Sequence, residues 1–189
     1  VREEDEAAWR CPNMECKAQI LQRLIFHVSK DAMDIDGFGE KYILRFYELG
    51  WIKNMADLYQ LDYDKIAALE GFGKKSADKL KAAIDKAKSN PIHRLLHSLS
   101  IHHVGQRASK LIAEKINHLL DLAGWSTEDY IAIKDIGPVV AQNAIKWFSD
   151  EKNIAMLREM EALGVNLTQT PQDKPKELIS DGVFSGKTI

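Results

Sequence analysis

Four short stretches of this chain share a pattern suited to holding an anion. They are "IDGFGEKYI" from Ile35, "LEGFGKKSA" from Leu69, "SIHHVGQRA" from Ser100 and "IKDIGPVVA" from Ile133. In the first two, an apolar residue sits between two glycines: Gly37 and Gly39 flank Phe38, and Gly71 and Gly73 flank Phe72. The third keeps Val104 and Gly105 but has His103 in the first glycine's place. The fourth keeps Ile136 and Gly137, with Asp135 in that place. The first two glycine pairs are 34 residues apart, and the second glycines 73, 105 and 137 then step by 32. A near-constant period of this kind marks an internal repeat.

Each position in the pattern has a mechanical role. The first glycine takes positive φ and reverses the chain without steric cost. The middle apolar residue plugs the turn into the core. The second glycine leaves the backbone bare, so a ligand can approach the N–H groups that open the next helix. Those groups have no intrahelical partner and lie at the positive end of the helix dipole. Lys41 follows the first copy, Lys74 and Lys75 the second, and Gln106, Arg107 and Lys110 the third. With such followers the natural anion is a nucleic-acid phosphate, bound without regard to base sequence and weakened by salt. One copy alone reads as a hairpin cap; four in register favour a DNA grip. Asp135 is the weak point, because a carboxylate near a phosphate is unfavourable unless it turns away. No aromatic forms an obvious platform for stacking bases, so duplex is the expected partner rather than single strand.

The two cysteines, Cys11 and Cys16, stand in "RCPNMECKAQ". Two thiolates in a turn with Pro and Asn suit half of a tetrahedral zinc site. Two free thiols, or a chance spacing, fit the same residues.

The elements that position these groups read almost entirely as helix. Tyr42, Ile43, Phe46 and Leu49 recur at helical spacing, and Gly50 stands where a C-terminal cap belongs. Asp62 is placed to cap a short helix. Lys74–Lys88 carries Ala77, Leu80, Ile84 and Ala87, and Asn90-Pro91 stops it. Ile92, Leu95, Leu96 and Leu99 form another stripe. Ser126 and Asp129 have capping-box spacing, and Pro138 suits the first turn of a helix running to Phe148. A last helix is expected from Asn153 to Leu163, closed by Gly164. The fold class is all-α: four tandem helix-hairpin-helix units, preceded by half of a small zinc finger and followed by a linker. The expected divisions are 1–27, 28–165 and 166–189.

Net charge is −2 over 189 residues, yet Lys74 to Lys115 holds ten Lys/Arg against three acids. That basic middle in an acidic chain suits a local polyanion contact or solvated helix faces. No apolar run approaches the roughly 20 residues that span a bilayer. The acidic start lacks a signal-peptide core, so a cytoplasmic, membrane-free setting and a monomer are expected. After Val165 the chain turns polar, gains two prolines and loses apolar periodicity, which suggests a linker. "VFSGKTI" then looks like the start of a strand, and a longer parent protein is expected. Its "SGKT" is not a P-loop, because Asp181 stands where that motif needs glycine.

Together, "RCPNMECKAQ", "HVSKDAMDIDGFGEKYI", "ADLYQL", the four hairpins and the final "FSGKTI" resemble the C-terminal half of bacterial NAD-dependent DNA ligases. By that resemblance Cys11 and Cys16 are the last two ligands of a four-cysteine zinc finger. Residues from about 28 to 165 match the helix-hairpin-helix domain, and "FSGKTI" matches the first strand of a BRCT domain. The family seals nicks in replication and repair: NAD adenylylates a lysine, AMP passes to the 5′-phosphate, and the 3′-hydroxyl displaces it, with magnesium assisting. The nucleophile belongs to a K-x-D-G motif, which this chain lacks; "KDIG" at 134–137 has the wrong order. The resemblance therefore implies a duplex-binding portion, inactive alone, that holds half a zinc site and binds neither NAD nor magnesium. Other domains of the same ligase are its implied partners. The alternative is a non-catalytic repair scaffold for branched DNA.

Overall fold

A computed structural model describes residue 13 and residues 15–175. Cys11 and the expected BRCT strand at 183–189 lie outside the described residues. Among the described residues there are helices, two 3-10 segments and no strand; one isolated antiparallel bridge joins His118 and Thr168. The order is α1 (Lys17–Val28), α2 (Glu40–Glu48), a 3-10 segment (Ala56–Tyr59), α3 (Tyr63–Ala67) and α4 (Lys74–Ala87). It then repeats: α5 (Ile92–Ser98), α6 (Gln106–Ala113), a 3-10 segment (Leu119–Gly124), α7 (Thr127–Ile131) and α8 (Pro138–Phe148). A single extra helix, α9 (Glu151–Ala162), follows.

The duplication extends to single hydrogen bonds. Asp57 Oδ2 accepts from the backbone N–H groups of Lys53 and Asn54, and Asp121 Oδ2 accepts from those of Asn117 and His118. Helices pair within hairpins, α1 on α2, α3 on α4, α5 on α6 and α7 on α8, while α9 packs across the first 3-10 segment, the second and α8. A continuous apolar core runs through both halves. In the first half it is aromatic: Phe46, fully buried, meets Phe38 at 5.6 Å, Trp51 at 5.4 Å and Phe72 at 5.9 Å between ring centroids. Phe38 and Phe72 are the plugs of the first two hairpins, so one side chain holds both turns.

Local capping follows the sequence. Asp62 Oδ1 accepts from Lys65 N, and Ser126 and Asp129 form a reciprocal capping box. Gly50 takes φ +73°, and Trp51 N donates to Phe46 O, which closes α2 in the manner of a Schellman cap. Gly164 ends α9 likewise at φ +96°. That helix begins at Glu151, two residues before the expected start, because Asp150 accepts from Lys152 N and caps it.

Residues 166–175 are not the bare linker their composition suggests. Leu167 is buried, Leu119 N donates to Leu167 O, Gln169 N donates to Asn117 O, and Asn166 N donates to Lys88 O. The strap ends on Asp173, whose buried carboxylate accepts from Ile92 N, His93 N, His93 Nδ1, Thr170 N and Thr170 Oγ1 at 2.7–3.1 Å. Long-range hydrogen bonds thus replace the apolar periodicity that the segment lacks. Burial alone would raise the Asp173 pKa, but the donors from His93 and Thr170 overcome it and hold the group at about 2. Asp173→Asn, which turns an NH2 toward those donors, is expected to cost about 2 kcal/mol, read as a lower urea midpoint at neutral pH. An unchanged midpoint would mean that the strap adds nothing to the fold.

Candidate nucleic-acid interface

The four turns are built alike. Positions 37, 71, 103 and 135 all lie in the left-handed region, at φ +78°, +83°, +62° and +71°. The turn survives without glycine in the last two copies because His and Asp tolerate that region better than most residues. One residue on, the N–H of each plug closes the turn onto the carbonyl three residues back: Phe38 to Ile35, Phe72 to Leu69, Val104 to Ile101 and Ile136 to Ile133, at 3.0–3.3 Å. Phe38, Val104 and Ile136 are buried and Phe72 is half-buried. Val104 can therefore meet a ligand only through its backbone.

Gly39, Gly73, Gly105 and Gly137 are the N-caps of α2, α4, α6 and α8, all with extended backbone. None has positive φ, and a Cβ built on any of them would meet no atom within 4 Å. Neither backbone strain nor internal packing asks for glycine there. What glycine preserves is close approach from outside. The carbonyls of these glycines accept from Ile43, Ala77, Ser109 and Ala141, and the Gly39 carbonyl accepts from Tyr42 as well, so the N–H groups that open each helix directly after its glycine face outward at the positive helix end. Pro138 supplies no such donor to the fourth copy.

Lys41, Lys74, Lys75, Gln106, Arg107 and Lys110 are all exposed beside these turns. Lys74, Lys75, Asp78 and Lys79 line an open cleft of about 610 Å³ at the second hairpin. A cleft of about 430 Å³ lies at the third, lined in part by Phe26, His97, His102, His103 and Gly105. Burial lowers the His97 pKa below the usual histidine range; Asp31 opposes this and Arg94 adds to it. His97 is thus neutral at pH 7 and is no cation for a phosphate. Arg107 is not a free cation either: its Nη2 lies 2.7 Å from Asp135 Oδ2.

Two further arginines have jobs that local pattern did not disclose. Arg94, counted above in the basic middle, faces inward and donates to Ala32 O and Lys30 O, both at 2.7 Å. Arg45 donates to Glu70 O at 2.8 Å and lies over the Phe72 ring, tying α2 to the second hairpin's turn. Cys16 caps α1 as its N-cap residue, and its N–H donates to Asn13 O at 3.1 Å. A thiolate beside a helix N-terminus is electrostatically favoured, so this donor suits a zinc ligand. No helix among the described residues is long and apolar enough to cross a membrane.

Known families match in the same order along the chain. Residues 1–18 match the NAD-dependent DNA ligase C4 zinc finger domain. Residues 29–86 match a SAM-like helix-hairpin-helix tandem, and 94–157 match a helix-hairpin-helix motif. A DNA ligase of Persephonella marina is 45% identical over all 189 residues, and one of Bacillus subtilis is 41% identical over the same span. A third, from Sulfurihydrogenibium azorense, is 39% identical over 96% of the chain. The chain spans 26–28% of the length of these relatives. Over its whole length it thus matches a fragment of bacterial DNA ligases, with the zinc finger of the NAD-dependent enzymes at 1–18 and helix-hairpin-helix regions at 29–86 and 94–157.

Proposed function

We propose that this chain is the duplex-gripping portion of an NAD-dependent DNA ligase and that its hairpins hold phosphates of both strands. The observation that carries this reading is the bare second glycine of every hairpin: φ does not demand it and no packing neighbour excludes a Cβ. Gly37, Gly71 and their counterparts turn the chain. Gly39, Gly73, Gly105 and Gly137 admit the phosphate. Lys41, Lys74, Lys75, Arg107 and Lys110 add charge, and Gln106 adds a side-chain donor. Such contacts carry no base information, so binding is sequence-independent.

The parent enzyme seals nicks in replication and repair in the cytoplasm, using NAD and magnesium at domains outside this chain. The chain itself has no K-x-D-G lysine and is inactive alone. Cys11 and Cys16 would supply two thiolates to a structural zinc, holding the segment ahead of α1. The working unit is a monomer in contact with the other ligase domains, a BRCT domain beginning near 183 among them.

Titrating nicked and intact duplex at rising salt tests the grip. The five cations above predict a log–log slope of roughly −4.5. Gly73→Leu should weaken binding by about tenfold or more while lowering stability by only about 1 kcal/mol, the cost of losing a glycine N-cap, since a Cβ there meets open space. Binding insensitive to both salt and Gly73→Leu would defeat the reading.

A further inference from the structure

We propose that Asp135 is a built-in counter-ion that competes with DNA phosphate for Arg107, so that the second double hairpin engages duplex only by exchanging one anion for another. The inference rests on the phosphate-grip reading above and concerns how the grip is divided between the halves.

Arg107 is the second residue of α6, in the third hairpin. Asp135 stands in the turn of the fourth hairpin, 28 residues later. Their contact at 2.7 Å therefore joins two neighbouring grips. The internal repeat supplies a control within the same molecule. The residues at equivalent places in the first half are Lys41 and Gly71, so the first half has the cation but no carboxylate at that place, Glu70 standing one residue earlier with its carbonyl bonded to Arg45. Asp135 is an addition peculiar to the second half.

Backbone geometry does not call for it. At φ +71° glycine would be the easier residue, as at Gly71 with φ +83°. Nor is the pair a structural lock. The Arg107 side chain is 80% exposed and that of Asp135 45% exposed, so water and mobile ions reach both. Exposed pairs of this kind are weak and readily displaced. An approaching phosphate meets an arginine already partly neutralised, beside a carboxylate that repels it. The fourth hairpin is weakened further because Pro138 opens α8 without an N–H. The first double hairpin thus carries the stronger hold, and the second closes on DNA when phosphate takes Arg107 from Asp135.

The test uses the whole chain and measures duplex affinity by fluorescence anisotropy for the wild type, Asp135→Asn, Arg107→Gln and the double variant. Asparagine keeps the size and tolerates the left-handed turn. Asp135→Asn should bind about two- to fivefold tighter. In the Arg107→Gln background the same change should gain clearly less, and Glu128→Gln, which removes an exposed charge from the same hairpin, should also gain less. An equal gain with and without Arg107 would reduce Asp135 to general repulsion and overturn the exchange. Unchanged or weaker binding by Asp135→Asn would overturn it outright. If the wild type fails to bind duplex even at low salt, the phosphate-grip reading itself falls and this inference falls with it, an outcome distinct from the other two.

Discussion

Phe46→Ala is expected to destabilise the chain by about 4 kcal/mol, in the range of large aromatic truncations that leave a cavity. Phe46 is fully buried and touches the rings of Phe38, Trp51 and Phe72, with Tyr42 stacked at 6.4 Å. Truncation would strip one face from two hairpin plugs at once. Domains commonly have about 5–15 kcal/mol of stability in total, so the variant should lose a large share of its margin. Because Phe38 and Phe72 anchor the first two turns, duplex affinity should fall even where the variant stays folded. Chemical denaturation gives the first quantity and anisotropy the second. A loss below about 1 kcal/mol would mean that the aromatic cluster repacks around the gap.

Acid should weaken the fold well above the range where carboxylates titrate. His27 is fully buried, with Nε2 2.7 Å from Tyr59 Oη. Burial pushes its pKa down to about 3, against an opposing backbone contribution at Ser98. In the unfolded chain the group titrates near its ordinary value of about 6.5. The folded state therefore binds fewer protons between those limits. Its contribution is complete above about pH 6.5 and is lost as pH falls toward about 3. Between pH 7 and pH 4 the loss from this one group is about 3 kcal/mol. Asp173 works in a lower window, below the ordinary carboxylate value and down to about 2. His27→Gln cannot titrate, so it should start less stable at pH 7 yet lose much less on going to pH 4. Urea midpoints at the two pH values decide it; equal losses by both proteins would sink the assignment.

The hairpins were legible because their signal is local. A glycine, a plug and a second glycine occupy five residues, and register carried the reading to copies in which His103 and Asp135 replace glycine. Both take the left-handed turn that register implied. Helix caps at Asp62, Ser126 and Gly164 were equally local. The strap was not legible, because Asp173 finds donors about 80 residues away and Leu167 is the last apolar residue before a polar run, with only Val165 near it. Arg94 was invisible for the same reason: an arginine bonded to backbone carbonyls has the same letter as one facing water. The Arg107–Asp135 contact needs the third and fourth turns side by side in space.

The joint between the two halves has a consequence for how the grips act together. Asn90 Nδ2 donates to Met33 O at 2.7 Å, Asn166 N to Lys88 O at 2.8 Å, and Arg94 to two carbonyls beyond α1. The few residues between α4 and α5 are therefore clasped on both sides rather than free to swing. Once one half has found a duplex, the other meets its phosphates at a high effective concentration, with little linker entropy left to lose. Individually weak contacts then combine into residence on DNA.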